Sequence, residues 1–527
     1  MARLVALLPL LLLALLAAVP HAARAQALRS PFPSRSAILA AERVTRLQNG
    51  TAEAADTGAQ LRRSGRNVLG YVTPWNPRGT GLVEKYRHKF THVAPCWHTV
   101  DPVHTRATTW YEVRGEPTEE DAAWMRRLQL PAKNQQGEEE GEGRVKVVPR
   151  FALDNTWTAE LLAELLSSDS QLRSFVDGII SHVQAQGYDG LVLEVGAVWA
   201  LEHLIKELSE ALHAHDKVLG IVLPPFRRIK EGEEAGDEAR MNVIALQAYK
   251  ALSPLVDLIT SMTYDYSGMK GLAYADIFDV DALPSKSPLR QDGVRVPGPN
   301  TPLEWLRENI EMLQGTLEVD GGAANGLFGP GSGAGFAAAG FDMTTAQYVE
   351  HHGVRQKLLM GFPLYGYAYP VGWFDKESES TNGVPKIPPP SPLVSKDNNT
   401  DAQAAARAKA DKKEADSRLQ AVLRFAGQPF THSELIARLE DHKALIRQEP
   451  QSGEQYIDFV APMPSHQQPA DVPPEANGGK PFASYYRAYW PSANTMAMRA
   501  EVLRDYEEVG VALWDVGQAG EWLLAEL

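Results

Sequence analysis

Glu194 lies within an apolar run, Tyr188 to Val195 (YDGLVLEV). A carboxylate among such neighbours must be paired or protonated. It therefore reads either as part of a buried polar network with a nearby Arg or Tyr, or as an acid whose pKa low polarity raises. Tyr264 and Asp265 end a second run, Leu258 to Tyr266 (LITSMTYDY), and Tyr71, Trp75, Trp97 and Trp514 end or follow others. A Trp on a buried strand is commonly core, so each aromatic has a structural reading beside a ligand-contacting one. His92, His98 and His104 lie on or near one strand, but nothing supplies complementary ligands at motif spacing. They read as surface and loop histidines, and no metal or other cofactor is expected. Cys96, the single cysteine, reads as a small buried hydrophobe. One cysteine excludes an intramolecular disulfide and any zinc site built on paired cysteines.

Eight apolar runs of strand length carry or flank these residues. They are Asn67 to Trp75, Phe90 to Val100, Val145 to Leu153, Tyr188 to Val195, Lys217 to Pro224, Leu258 to Tyr266, Lys357 to Tyr367 and Val509 to Val516. Most are near-continuous, as expected of parallel strands buried on both faces. Helical spacing fills the gaps at Thr158 to Leu166, Gln171 to Gln186, Leu201 to His215, Met241 to Ala251 and Pro302 to Leu313. The alternation predicts an α/β fold, a (β/α)8 TIM barrel. A doubly wound sheet is the competing architecture, but no G-x-G-x-x-G follows any strand. The chain has 527 residues, 44% hydrophobic and 22% charged, which allows a large core and excludes wholesale disorder. Its formal charge of −14 argues against a nucleic-acid partner.

Residues 1–25 have the form of a secretory signal peptide. Arg3 precedes the apolar run Leu4 to Val19, and Ala23-Arg24-Ala25 offers small residues before Gln26. The run is short for a membrane span, so the protein is not expected to be membrane-embedded. The expected location is the secretory pathway, extracellular or in the lysosomal lumen. Sequons at Asn49 and Asn398 suit that route. Residues 26–66 read as an N-terminal extension and 67–527 as the barrel. Three segments exceed a minimal barrel: the acidic stretch Glu138 to Arg144, the Gly- and Ala-rich stretch Leu317 to Gly340, and an insertion over about 370–508. The insertion opens Pro-rich, continues through a charged Ala-rich helix at Asp401 to Leu423, and holds His432 to Arg447. Strands at Gln455 to Val460 and Tyr485 to Trp490 complete an α+β lobe between barrel strands seven and eight. Such a lobe can wall a groove or present a surface to a protein partner.

Together the runs NVLGYVTPWN, FTHVAPCW, VVPRFALDNTWT, GYDGLVLEV, LITSMTYDYSG, LLMGFPLYGYAY and GVALWDVGQ resemble glycoside hydrolase family 18, the chitinase family. The resemblance spans roughly Asn67 to Gly520 and is strongest to a branch that shares the departure described next. It implies chitin-type oligosaccharides as ligands. Active members carry Asp-Gly-x-Asp-x-Asp-x-Glu on the fourth strand. Its Glu protonates the glycosidic oxygen, and the Asp two residues earlier holds the substrate acetamide, whose carbonyl attacks the anomeric carbon. Asp189 and Gly190 match the opening of the signature, but the next three positions are Val192, Glu194 and Gly196. The acid is absent. Glu194 lies two residues short, roughly 6.6 Å at about 3.3 Å per residue, whereas general acid catalysis needs contact at about 3 Å.

The resemblance also implies that Tyr264 and Asp265 contact the acetamide and that Trp514 floors the sugar ring. Tyr71, Trp75 and Trp97 stand at other strand ends, and rigid aromatic planes suit the apolar C–H faces of pyranoses. The expectation is a secreted or lumenal chitinase-like protein that binds N-acetylglucosamine oligomers without hydrolysing them. The alternative is a hydrolase in which Glu194, reached through a bulge or an altered pose, acts as the acid.

Overall fold

The structure is a computed structural model that describes residues 35–39, 61–62, 64–104, 109–133, 139–140, 144–154, 156–228, 237–268, 298–314, 357–374, 427–441, 446–450, 452–462, 483–506, 508–524 and 526–527. The signal-peptide segment, both sequons, the Gly/Ala-rich stretch and the charged Ala-rich helix lie outside them.

Among these residues a closed ring of parallel strands forms the centre. Val68–Val72 pairs with Gly510–Trp514 on one side and with His92–Pro95 on the other. The second barrel strand has two segments, His92–Pro95 and His98–His104, and so has the third, Lys146–Val147 and Arg150–Leu153. Each segment of one pairs with a segment of the other. The ring continues through Gly190–Val195, Val218–Leu223, Leu258–Ser261 and Leu358–Pro363, and returns to Gly510–Trp514. This is the expected TIM barrel, with strands near-continuously apolar because both faces are covered.

The two faces alternate along each strand. On the fourth, Leu191, Leu193 and Val195 join the outer core against the helices, while Val192 joins an inner cluster with Leu69, Tyr71 and Cys96. Local signals fix the flanking helices. Ser168 caps Asp169–Gln186, and Gly187, at φ 70°, ends it in the left-handed conformation. Asp189 and Gly190 then seat the fourth strand. The Asp189 carboxylate accepts from the Val147 N–H at 2.9 Å and from Arg144 at 2.5 Å. A Cβ on Gly190 would lie 2.0 Å from the Val218 carbonyl oxygen, so the strand crosses there only without a side chain.

Three features correct the expected element map. The run Lys357 to Tyr367 is two strands: the barrel strand stops at Pro363, and Gly366–Phe374 begins a second sheet. The second barrel strand extends into an antiparallel hairpin with Thr109–Arg114. Helices Arg78–Lys85 and Glu119–Gln129 were not anticipated, although Thr118 and Asp121 form a capping box on the latter. The insertion between strands seven and eight holds a five-stranded antiparallel sheet with its own core around Phe459, Tyr486 and Trp490. Helix His432–Asp441 packs on it through Leu435, Ile436 and Leu439.

Candidate functional site

Glu194 faces the barrel interior, in step with Val192. Arg150 on the third strand pairs in register with Val192, and its long side chain reaches along the strand to Glu194. Its Nη1 donates to Glu194 Oε2 at 3.3 Å; the Glu194 side chain is 37% exposed and that of Arg150 16%. The paired reading of Glu194 holds, and the charge of the pair acts on the Tyr71 hydroxyl and the Cys96 thiol beside it. Burial pushes that thiol up to about 12 and raises the Tyr71 hydroxyl, which donates to Thr260 Oγ1 at 3.4 Å. Neither is a nucleophile at neutral pH.

Two residues on, Gly196 is exposed, and a Cβ built there meets no heavy atom within 4 Å. Trp514 ends the eighth strand and stacks edge-on against Tyr71, ring centroids 5.3 Å apart. The Trp514–Asp515 peptide is cis. The buried Asp515 carboxylate accepts from Asn76 at 2.9 Å, Thr73 at 3.1 Å and the Gln518 amide at 2.9 Å, tying the loop after strand one to the loop after strand eight. Burial raises its pKa despite these donors.

Tyr264 reaches the same interior, where burial holds its hydroxyl well above the ordinary range and the neighbouring Tyr71 hydroxyl and Glu194 carboxylate add to it. Gly361 makes room: a Cβ there would lie 2.8 Å from the Tyr264 ring. Asp265 sits at φ 60° and is clasped on every side. Its carboxylate accepts from the Tyr365 hydroxyl and, at 2.8 Å, from Tyr367; its N–H donates to Asn300 Oδ1 at 2.6 Å.

Tyr71, Glu194, Tyr264 and Trp514 therefore gather at one mouth, and Asp265 follows Tyr264 at its rim. Trp75 stands in the loop after strand one, 60% exposed. Trp97 is not with them. It follows Cys96, which faces inward, so its ring turns outward against Trp124 and Tyr188 in the helix layer. His92 and His98 are buried, not surface histidines: His98 Nε2 lies 2.9 Å from the Tyr188 hydroxyl, and His92 Nδ1 lies 2.9 Å from Thr91 Oγ1. The sequence reading missed Arg150, Tyr365 and Tyr367. A cation inside VVPRFAL and the alternating tyrosines of YGYAY were the available signals.

A model of glycosyl hydrolases family 18 matches residues 67–519, nearly the whole barrel and its insertion. The chain belongs to glycosyl hydrolase family 18. Solved structures similar to this family-18 chain include a chitinase from Chromobacterium violaceum, 14% identical, covering 88% of this chain and 98% of that one at a TM-score of 0.48. The spore cortex-lytic enzyme SleL of Bacillus cereus is 12% identical, covering 88% of this chain and 74% of its own at 0.48. The Group IV chitinase of Ostrinia furnacalis is 13% identical, covering 87% and 98% at 0.46. No helix among the described residues is long and apolar enough to cross a membrane.

Proposed function

We propose that this family-18 protein binds chitin-type N-acetylglucosamine oligosaccharides without cleaving them. One observation carries the reading: Gly196 occupies the acid position implied by the family signature, and Glu194, two residues lower, is bridged to Arg150. Half-exposed Trp514, propped edge-on by buried Tyr71, supplies a surface for a pyranose, and Tyr264 and Asp265 supply polar groups beside it. The missing acid and the motifs MTYDYSG and GYDGLVLEV support reading it as a member of the branch called chitinase domain-containing protein 1. The N-terminal segment supports export to the extracellular space or the lysosomal lumen, with glycan at Asn398. The insertion sheet offers a surface for a protein partner.

Hydrolysis by Glu194 is the second reading, and its 37% exposure at the mouth is what favours it. Purified protein incubated with defined chitin oligomers, with reducing ends followed over days beside Glu194→Gln, separates the two. Binding by calorimetry with no release supports the lectin reading. Cleavage by the native protein that Glu194→Gln abolishes overturns it.

A further inference from the structure

The hairpin strand Thr109–Arg114 is paired on one side only. It bonds to His98–His104, and among the described residues no strand lies along its other side. Pro102 faces Tyr111 in that pairing. Proline has no N–H, so these two form a pair that exchanges no hydrogen bonds, and the ladder runs through Asp101–Glu112 and Val103–Trp110 on either side of it. Tyr111 and Val113 therefore aim their N–H and C=O groups off the edge, where no described residue bonds them.

A groove lies against the same strand. Val100, Tyr111 and Val113 on the inner face of the hairpin, with Phe175, Gly178 and Ile179 on helix Asp169–Gln186, line a half-open cavity of about 250 Å³. Gly178 is exposed in the middle of that helix, and a Cβ built on it meets no heavy atom within 4 Å. Glycine is the costliest residue after proline in a helix interior, and no neighbour here demands it. Its missing side chain keeps the groove open.

The surroundings are acidic. Glu112 lines the groove, Glu116 lies 3.7 Å from Nδ1 of the lining residue His182, and the charge of Glu164 reaches the Tyr111 hydroxyl. Burial lowers the pKa of His182, so it brings no positive charge at neutral pH. Arg114 is already held by Asp101 at 3.0 Å and by Glu112 at 3.4 Å. Trp110, 44% exposed, stands beside Glu112 on the outer face of the strand.

We propose that this edge binds an extended, basic segment of a partner protein as an added antiparallel strand. Residues of the segment opposite Tyr111 and Val113 exchange main-chain bonds with them and turn inward, where an apolar side chain fills the groove. The residues between turn outward, where Lys or Arg meets Glu112 and the face of Trp110. Main-chain bonds hold the segment, and its alternation of apolar and basic residues selects it. None of these residues belongs to the barrel mouth, so the proposal is independent of sugar binding.

The test titrates the intact protein into a short fluorescein-labelled peptide that alternates Lys with Val and Leu, followed by anisotropy. Three relatives of the peptide remove one feature each: N-methylation of the Val and Leu nitrogens, Ser in place of Val and Leu, and Glu in place of Lys. Each is expected to bind at least about tenfold more weakly than the parent. Val113→Pro removes an outward N–H and no ladder bond, and should weaken the parent by a similar factor. Gly178→Leu fills the groove and should abolish the advantage of the parent over the Ser peptide. The peptide comparisons on native protein stand even where a variant fails to fold. No binding of the parent, or equal binding of the N-methylated or the Ser peptide, overturns the proposal. Self-association of the native protein that Val113→Pro abolishes would give the edge to a second copy of the chain and overturn it likewise.

Discussion

At position 196 the backbone is not left-handed and an added Cβ touches nothing, so Gly196→Glu places a carboxyl in open space without displacing a neighbour. Its stability should match the native protein within about 0.5 kcal/mol, as for exposed substitutions generally. Slow reducing-end release from chitin oligomers is expected, because general acid catalysis alone contributes about 10²–10⁴-fold. A folded Gly196→Glu with no release would show only that restoring the acid is not sufficient, because Val192 and Glu194 also stand where the family signature has Asp. Trp514 makes the second residue-scale prediction. Its ring is the half-exposed partner of buried Tyr71, so Trp514→Ala should weaken oligosaccharide binding by about 1–2 kcal/mol by calorimetry. Affinity unchanged in a folded Trp514→Ala would remove Trp514 from the site. Much of this cluster was legible because strand-end residues declare themselves in one sequence. Arg150 was not, because its contact depends on cross-strand register, which no single run encodes. Trp97 was misread because one residue of phase decides which face a ring takes.

The elements that hold Asp265 in place come from three parts of the chain. Asn300 accepts the Asp265 N–H and donates to the Tyr365 carbonyl, and its own N–H donates to Glu454 of the insertion at 2.9 Å. Glu454 also accepts from the Thr301 N–H at 2.8 Å and from Arg499 Nη2 at 2.5 Å, with both side chains of the ion pair fully buried. The insertion thus braces the barrel mouth as well as decorating it. Arg499→Met leaves Glu454 without its cation in a dry site, and a loss of about 3–5 kcal/mol in urea unfolding is expected. Replacing both residues by apolar ones should recover little, since the Asn300 and Thr301 amides would lose their acceptor. Full recovery in the double variant would show that the ion pair carries the effect alone. The barrel strands were readable because burial on both faces writes a continuous apolar run. The hairpin His98–His104/Thr109–Arg114 was not, because its residues Asp101, Pro102, Glu112 and Arg114 break that pattern at a solvated edge. The boundary at Leu364 and Tyr365 was hidden for the opposite reason: the apolar run crosses from one sheet into the next without a polar mark.

For the molecule as a whole, two buried histidines set a direction for its response to pH. Burial pushes His92 down to about 3, with the Lys146 charge adding to it and Asp189 opposing. Burial, with His182 beside it, pushes His98 down to about 4, while its bond to the Arg114 carbonyl opposes. Both have an ordinary value of 6.5. As pH falls below that value the unfolded chain takes up protons that the folded chain refuses, so the unfolded state binds more protons and stability drops. The contribution of each is therefore complete above about pH 6.5 and is lost on acidification, down to about 4 for His98 and about 3 for His92. Each refused proton costs about 1.4 kcal/mol per pH unit once the unfolded ring is protonated, and at pH 6.5 that ring is half protonated, so the two together should remove about 3 kcal/mol between pH 6.5 and 5. Above pH 5 ordinary carboxylates stay ionised, which keeps that window specific to histidine. Urea unfolding of the native protein at pH 6.5, 5.75 and 5 should show at least this slope, and His92→Gln should reduce it, the remainder coming from His98 and from His182, which burial also lowers. A flat profile, or a slope unchanged in a folded His92→Gln, would mean that the two rings are not the groups that refuse the proton.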